Sequence, residues 1–169
     1  MVSDQSAGYS HSGQKYQLLI FDWDGTLVQL SGRLFEGVKP VLQSLSEQGY
    51  DLAVATGMSR RGLNQDLRNL ALTELFPVTR TADETFSKPH PLMLEEIVTD
   101  YDTCVEAALM VGDTEYDLQM AANAGMDSLA VSYGVHTAER LLKQRPQGLI
   151  EQFAQLPAWL NNLNKQIDK

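Results

Sequence analysis

Two carboxylates placed two residues apart, Asp22 and Asp24, close an apolar run, Leu18-Leu19-Ile20-Phe21. Trp23 separates them and Gly25-Thr26 follows. Acids held at the end of a buried segment are costly unless a positive group joins them. A metal ion, a lysine or both would meet that need. The chain offers a matching set elsewhere: Thr56-Gly57 after a second apolar run, Lys88 ahead of Pro89, and Gly112-Asp113-Thr114 after a third run, with Asp117 one turn further on. Carboxylate oxygens suit a hard cation such as Mg²⁺, which takes one or two carboxylates together with waters and phosphate. Thr56 and the N–H groups opening a helix at Ser59 form an anion site. Lys88 adds a point charge for phosphate. Metal, anion site and lysine together describe a pocket for a phosphoryl group. Inside it one aspartate can act as a nucleophile, giving an aspartyl-phosphate. The other can exchange protons with the leaving group and the attacking water.

These residues need a scaffold that brings distant segments to one edge, and the hydropathy pattern supplies it. Tyr16 to Phe21, Asp51 to Ala55, Ala107 to Val111 and Ser128 to Val131 read as buried strands, with short strands at Phe76-Pro77-Val78 and Gly148-Leu149-Ile150. Between them run amphipathic helices. Val38, Val41, Leu42 and Leu45 form one stripe, with Pro40 in the first turn and Gly49 as the stop. Leu63, Leu67 and Leu70 form a second, and Met93, Leu94, Ile97 and Val98 a third. Leu118, Ala121 and Ala124 precede the stop at Gly125; Thr137 to Lys143 reads as helical; Leu156, Leu160, Leu163 and Ile167 stripe the last helix. This alternation predicts an α/β fold, a doubly wound, mostly parallel sheet with helices on both faces. In such sheets ligands bind outside the carboxyl ends of the strands, where Asp22, Thr56 and Asp113 fall. Residues 1–14, polar and rich in Ser and Gly, read as a flexible tail, and 15–169 as one domain.

The 169 residues carry a formal net charge of −9, which argues against a nucleic-acid partner and an acidic membrane surface. No stretch reaches the roughly 18 apolar residues of a membrane span. The single cysteine, Cys104, excludes an intrachain disulfide framework and fits a reducing, cytoplasmic setting.

Asp22-Trp23-Asp24-Gly25-Thr26, Thr56, Lys88-Pro89 and Gly112-Asp113-x-x-x-Asp117 resemble, in order, the four motifs of the haloacid dehalogenase-like superfamily. Val54-Ala55-Thr56-Gly57, Ala82-Asp83-Glu84-Thr85, Lys88-Pro89-His90-Pro91 and Tyr133-Gly134-Val135-His136 extend the likeness toward its phosphoglycolate phosphatase-like branch. The resemblance implies a phosphatase in which Asp22 is the nucleophile and a Mg²⁺ ligand. It makes Asp24 the acid/base, with its backbone carbonyl on the metal, and Asp113 a further ligand. It places Thr56 and Gly57 on the phosphoryl group, Lys88 between nucleophile and phosphate, and Asp117 behind metal and lysine. Backbone N–H groups from Trp23 to Gly25 are expected to face the phosphate as well.

Other readings of the same residues stand beside this one. Thr114-x-x-Asp117 matches a helix capping box. His90 reads as a turn residue and Asp83-Glu84 as a solvated loop. A phosphotransferase or sugar-phosphate mutase remains open, as does a non-catalytic phospho-binding or signalling module. A receiver domain would carry its phospho-acceptor Asp after a middle strand and adjacent acids after the first, unlike Asp22-Trp23-Asp24. A dehalogenase would lack the second acid. The branch's cap domain is missing: residues 29–34 alone precede the first helix, and residues 57–87 hold about one helix and one strand. An open site points to a phosphorylated small molecule or phosphoprotein as substrate, and leaves room for a homo-oligomer whose neighbouring copy serves as lid.

Overall fold

A computed structural model describes residues 13–167 and 169. Most of the expected tail therefore lies outside the described residues. The elements in order are β1 (Leu18–Phe21), α1 (Val38–Glu47), β2 (Asp51–Thr56), α2 (Arg60–Asn69), β3 (Val78–Thr81), α3 (Leu92–Asp100), β4 (Ala108–Gly112), α4 (Glu115–Ala124), β5 (Asp127–Val131), α5 (Ala138–Leu142), β6 (Gly148–Ile150) and α6 (Leu156–Ile167). The strands make one sheet in the order β3-β2-β1-β4-β5-β6, and every neighbouring pair is parallel.

Side chains alternate between the two faces of a strand, and both faces here are apolar. Leu19 and Phe21 of β1, Leu52 and Val54 of β2, and Leu109 and Val111 of β4 pack beneath α1, α2 and α6 through Leu42, Leu63 and Leu160. Leu18, Ile20, Ala53, Ala55 and Met110 face the other way, onto Met93 and Ile97 of α3 and Met120 and Ala121 of α4. The strand order runs outward in opposite directions from β1 and β4. A crevice opens at the carboxyl ends of those two strands, where doubly wound sheets hold their ligands.

One expected strand is displaced. The Phe76-Pro77-Val78 segment is not itself a strand: Phe76 is buried after a short 3-10 turn, and β3 begins at Val78 and ends at Thr81. β3 is an edge strand whose polar residues are matched by neighbouring helices. Arg80 donates to Glu96 (2.7 Å) and to Asp100 of α3, while Thr79 takes two hydrogen bonds from Arg60 of α2. Such pairing leaves no apolar period to read.

Between β1 and α1 there are only residues 22–37, and no separate domain is inserted there. They form a small flap: Gln29 N donates to Arg33 O (2.8 Å), Phe35 N to Leu27 O (3.0 Å), and Val28 bridges to Leu34. Leu30 at its tip is fully exposed. Residues 57–87 hold only α2, a 3-10 turn and β3, so the capless expectation agrees with the fold.

Candidate active site

β1 delivers Asp22 at the centre of the crevice. Its N–H still belongs to the sheet, donating to Val111 O (3.0 Å), and then the chain turns sharply. The N–H groups of Leu27 and Val28 both donate to Trp23 O, and Gly25 N donates to Val28 O (2.8 Å). The Gly25 N–H, expected to face a phosphate, is thus spent inside the turn. Trp23 anchors the turn from below: its ring is buried and its Nε1 donates to Asp66 of α2 (2.9 Å). Asp24 sits at the exposed mouth.

β4 delivers Asp113, which is completely buried and held from three sides. Thr26 Oγ1 donates to one carboxylate oxygen (3.0 Å) and Val135 N to the other (2.9 Å), while the Asp113 carbonyl accepts from His136 N (3.3 Å). Space around it is tight. A Cβ on Gly25, which holds φ +82°, or on Gly134 would collide with the Asp113 side chain. Tyr133 closes the cage by donating to Thr26 O (2.6 Å). Thr26, Tyr133 and Gly134 escaped a reading based on charged residues. Their only sequence signal was their place inside the quoted motifs.

Asp117 carries two roles at once. Thr114 caps α4 by accepting from Asp117 N, and Asp117 accepts from Thr114 N (3.0 Å) and Thr114 Oγ1 (3.0 Å), a complete capping box. Its other oxygen accepts from Lys88 Nζ (2.6 Å). The same ammonium donates to Asp22 (2.7 Å). Lys88, Asp22 and Asp117 are all nearly closed to solvent.

Their electrostatics follow from that burial. Desolvation pushes the Asp22 pKa from 3.8 up to about 6, against the pull of Lys88 and with help from Asp113. Desolvation and then Asp22 raise Asp117, with Lys88 opposing. Burial alone would lower Lys88, yet Asp117 and Asp22 outweigh it and hold the ammonium above its ordinary range. Asp24 is raised by desolvation and by Asp66, with Lys88 again opposing.

β2 delivers Thr56, whose Oγ1 accepts from Met58 N (3.1 Å) and shapes the turn through Gly57. The N-terminus of α2 is not an open anion site as expected. Ser59 Oγ accepts from Gly62 N, and the Asp83 carboxylate accepts from Arg60 N with both oxygens (3.1 Å each). Asp83 and Glu84 are exposed loop residues, as expected, and they make specific contacts. They also accept from Thr81 Oγ1, and Glu84 pairs with the Arg60 guanidinium, fixing the loop that carries Lys88 against α2. His90 is a turn residue, accepting from Leu92 N (3.2 Å), and His136 accepts from Glu115 N (3.0 Å).

Asp22, Asp24, Thr56, Gly57, Lys88 and Asp117 share one open cavity of about 390 Å³ with Met58, Ser87, Thr114 and Tyr116. Below it, Asp22, Asp113 and Asp117 each offer an oxygen, all within 4.8 Å of one another. Three buried carboxylates against one ammonium leave an excess of negative charge. An all-oxygen donor set with that excess fits a hard divalent cation.

The family model for haloacid dehalogenase-like hydrolases matches residues 30–131. The chain belongs to that family. It is 35% identical over 131 residues to the "Probable phosphatase IndB" of Dickeya dadantii, covering 77% of this chain and 57% of that protein. It is 31% identical over 132 residues to the "Pyrophosphatase PpaX" of Bacillus thuringiensis, covering 78% and 61%. The chain thus spans about 57–61% of the length of these curated relatives. Its fold matches the crystal structure of "a predicted phosphoglycolate phosphatase" from Haemophilus somnus with a TM-score of 0.79 at 19% identity, covering 86% of this chain and 98% of that one. Among the described residues no helix is long and apolar enough to cross a membrane.

Proposed function

We propose that this chain is a Mg²⁺-dependent phosphomonoesterase acting through phospho-Asp22. The observation that carries the reading is Lys88 Nζ held between Asp22 (2.7 Å) and Asp117 (2.6 Å), beside a buried oxygen triad and beneath Thr56 and Asp24. The names of the relatives, a probable phosphatase and a pyrophosphatase, support the reaction class. Asp22 and Asp113, with the Asp24 carbonyl and Asp117 behind them, would hold Mg²⁺. When bound, that ion supplies positive charge for the phosphoryl oxygens.

An Asp22 oxygen attacks phosphorus in line with the ester oxygen, and the bond to that oxygen breaks. Asp24 gives its proton to the departing oxygen; its raised pKa keeps the acid form available closer to neutrality. Lys88 and the Thr56 hydroxyl orient the transferring group and offset its charge. Asp24, now a carboxylate, takes a proton from water, which attacks the same phosphorus. The bond from phosphorus to Asp22 breaks, releasing inorganic phosphate and restoring Asp22. The open cavity admits that water freely, which favours hydrolysis over transfer to a second substrate.

Hydrolysis of an aryl phosphate with Mg²⁺ and with EDTA tests this reading. Chelation abolishes turnover, Asp22→Asn lowers kcat by roughly 10³-fold or more, and Asp24→Asn lowers it by roughly 10²–10⁴-fold. Full activity in Asp22→Asn would remove the nucleophile.

A further inference from the structure

Once Asp22, Asp24, Thr56, Gly57, Lys88 and Asp117 are committed to the phosphoryl end and its metal, the rest of the cavity lining is Met58, Ser87, Thr114 and Tyr116. None of these is charged. Among the described residues the single cation lining the cavity is Lys88, already bound to two carboxylates, and Arg140, which reaches Tyr116 from outside the cavity lining, is bound to Glu115. Arg60, the nearest arginine in sequence to the Thr56 turn, is turned away onto Thr79 and Glu84. With Asp24 protonated as the acid, Asp22, Asp113 and Asp117 bring three negative charges. Lys88 and a divalent ion together bring three positive ones. The site is therefore balanced before a phosphoryl group enters, and a second anionic group on the substrate finds no surplus positive charge to receive it.

The wall is also built rather than loose. Tyr116 is 44% exposed and opens onto the cavity, and its ring packs edge-on against His136 (centroids 5.7 Å apart). His136 is fixed in turn by accepting from Glu115 N. Met58, half-buried, lines the same cavity next to Gly57 and adapts readily to an apolar body.

We infer that this site takes phosphomonoesters whose leaving group is uncharged or cationic, seated against Met58 and Tyr116. It discriminates against substrates with a second anion, such as phosphoglycolate or pyrophosphate. The inference rests on the phosphatase reading above and narrows its substrate class.

Matched pairs test it, because each pair holds the ester chemistry nearly constant. The first pair is phenyl phosphate and 4-carboxyphenyl phosphate. The second is 2-aminoethyl phosphate and phosphoglycolate, with pyrophosphate run alongside. With Mg²⁺ present, kcat/KM for the anionic member of each pair falls about tenfold or more below its partner, and pyrophosphate is turned over no faster than phosphoglycolate. Tyr116→Ala raises KM severalfold for both phenyl phosphate and 2-aminoethyl phosphate, and an unchanged Tm separates this from a loss of folding; unchanged KM for both contradicts the seating. Met58→Lys narrows or inverts the first pair. Equal or faster turnover of the anionic members overturns the inference and leaves the phosphatase reading standing. Absence of turnover on every ester overturns both.

Discussion

Asp22 is charged, central and nearly buried, so in the metal-free protein it works against folding. Its pKa rises from 3.8 to about 6 even with Lys88 at 2.7 Å, chiefly through desolvation. The folded protein therefore holds that proton more tightly than the unfolded chain. The stability linked to the protonated group is complete below about pH 4 and is lost as pH rises through about 6. At neutral pH the loss amounts to roughly 3 kcal/mol. An Asn at this position keeps the shape and drops the charge. In EDTA near pH 7.5, Asp22→Asn is therefore more stable than the parent by up to roughly 3 kcal/mol, a rise in Tm of about 6–12 °C for a chain of this size. The gain shrinks to about 1 kcal/mol near pH 4.5, where the parent's own Asp22 is mostly protonated. Mg²⁺ narrows the gap, since the parent gains about 2.7 kcal/mol at a hundredfold excess over Kd and about 4.1 kcal/mol at a thousandfold excess, while the variant gains less. Urea denaturation of both proteins, in EDTA and in Mg²⁺, at the two pH values, reads all of this. A variant no more stable than the parent in EDTA, or a gap that does not close on acidification, would refute the electrostatic reasoning.

Lys88→Met leaves Asp22 and Asp117 buried without their cation, and unfolding in EDTA becomes easier by about 3–5 kcal/mol; a loss under 1 kcal/mol contradicts the bridging role. With the ammonium gone, both acids titrate higher, so that variant's stability falls more steeply with rising pH. Gly134→Ala drives a methyl group into Asp113 and costs about 1–3 kcal/mol by overpacking. It also weakens Mg²⁺ binding measured by calorimetry, and unchanged affinity would detach Asp113 from the metal site. Thr114→Ala removes the cap of α4 at a cost of about 1 kcal/mol, seen as a lower Tm, while the Asp117 to Lys88 bridge persists and activity falls only modestly.

What could be read in the sequence followed from local regularity. β1, β2 and β4 are buried on both faces, so their apolar runs announce them, and the helix stripes at Val38 and Met93 follow from one-sided packing. The order of acids, Thr56 and Lys88 along the chain was enough to place them on one edge of a parallel sheet. What escaped depends on pairs far apart in sequence. β3 is polar because Arg60, Glu96 and Asp100 meet it from two helices. The α2 N-terminus looked open because Asp83, which covers it, comes from a different loop. The cage around Asp113 combines Thr26 with Tyr133, Gly134 and Val135, and only the fold brings those turns together. Asp117 could be read either as a cap or as a site residue, and the structure gives it both sets of contacts.

The central claim is that phosphate passes through a covalent bond to Asp22. Acid quenching during turnover of an aryl phosphate with Mg²⁺, followed by borohydride reduction and peptide mass spectrometry, tests it directly. The account predicts reduction of the acyl phosphate to homoserine at position 22, and its absence in Asp22→Asn. Steady turnover with no modification at position 22, or with the label on another residue, would contradict it.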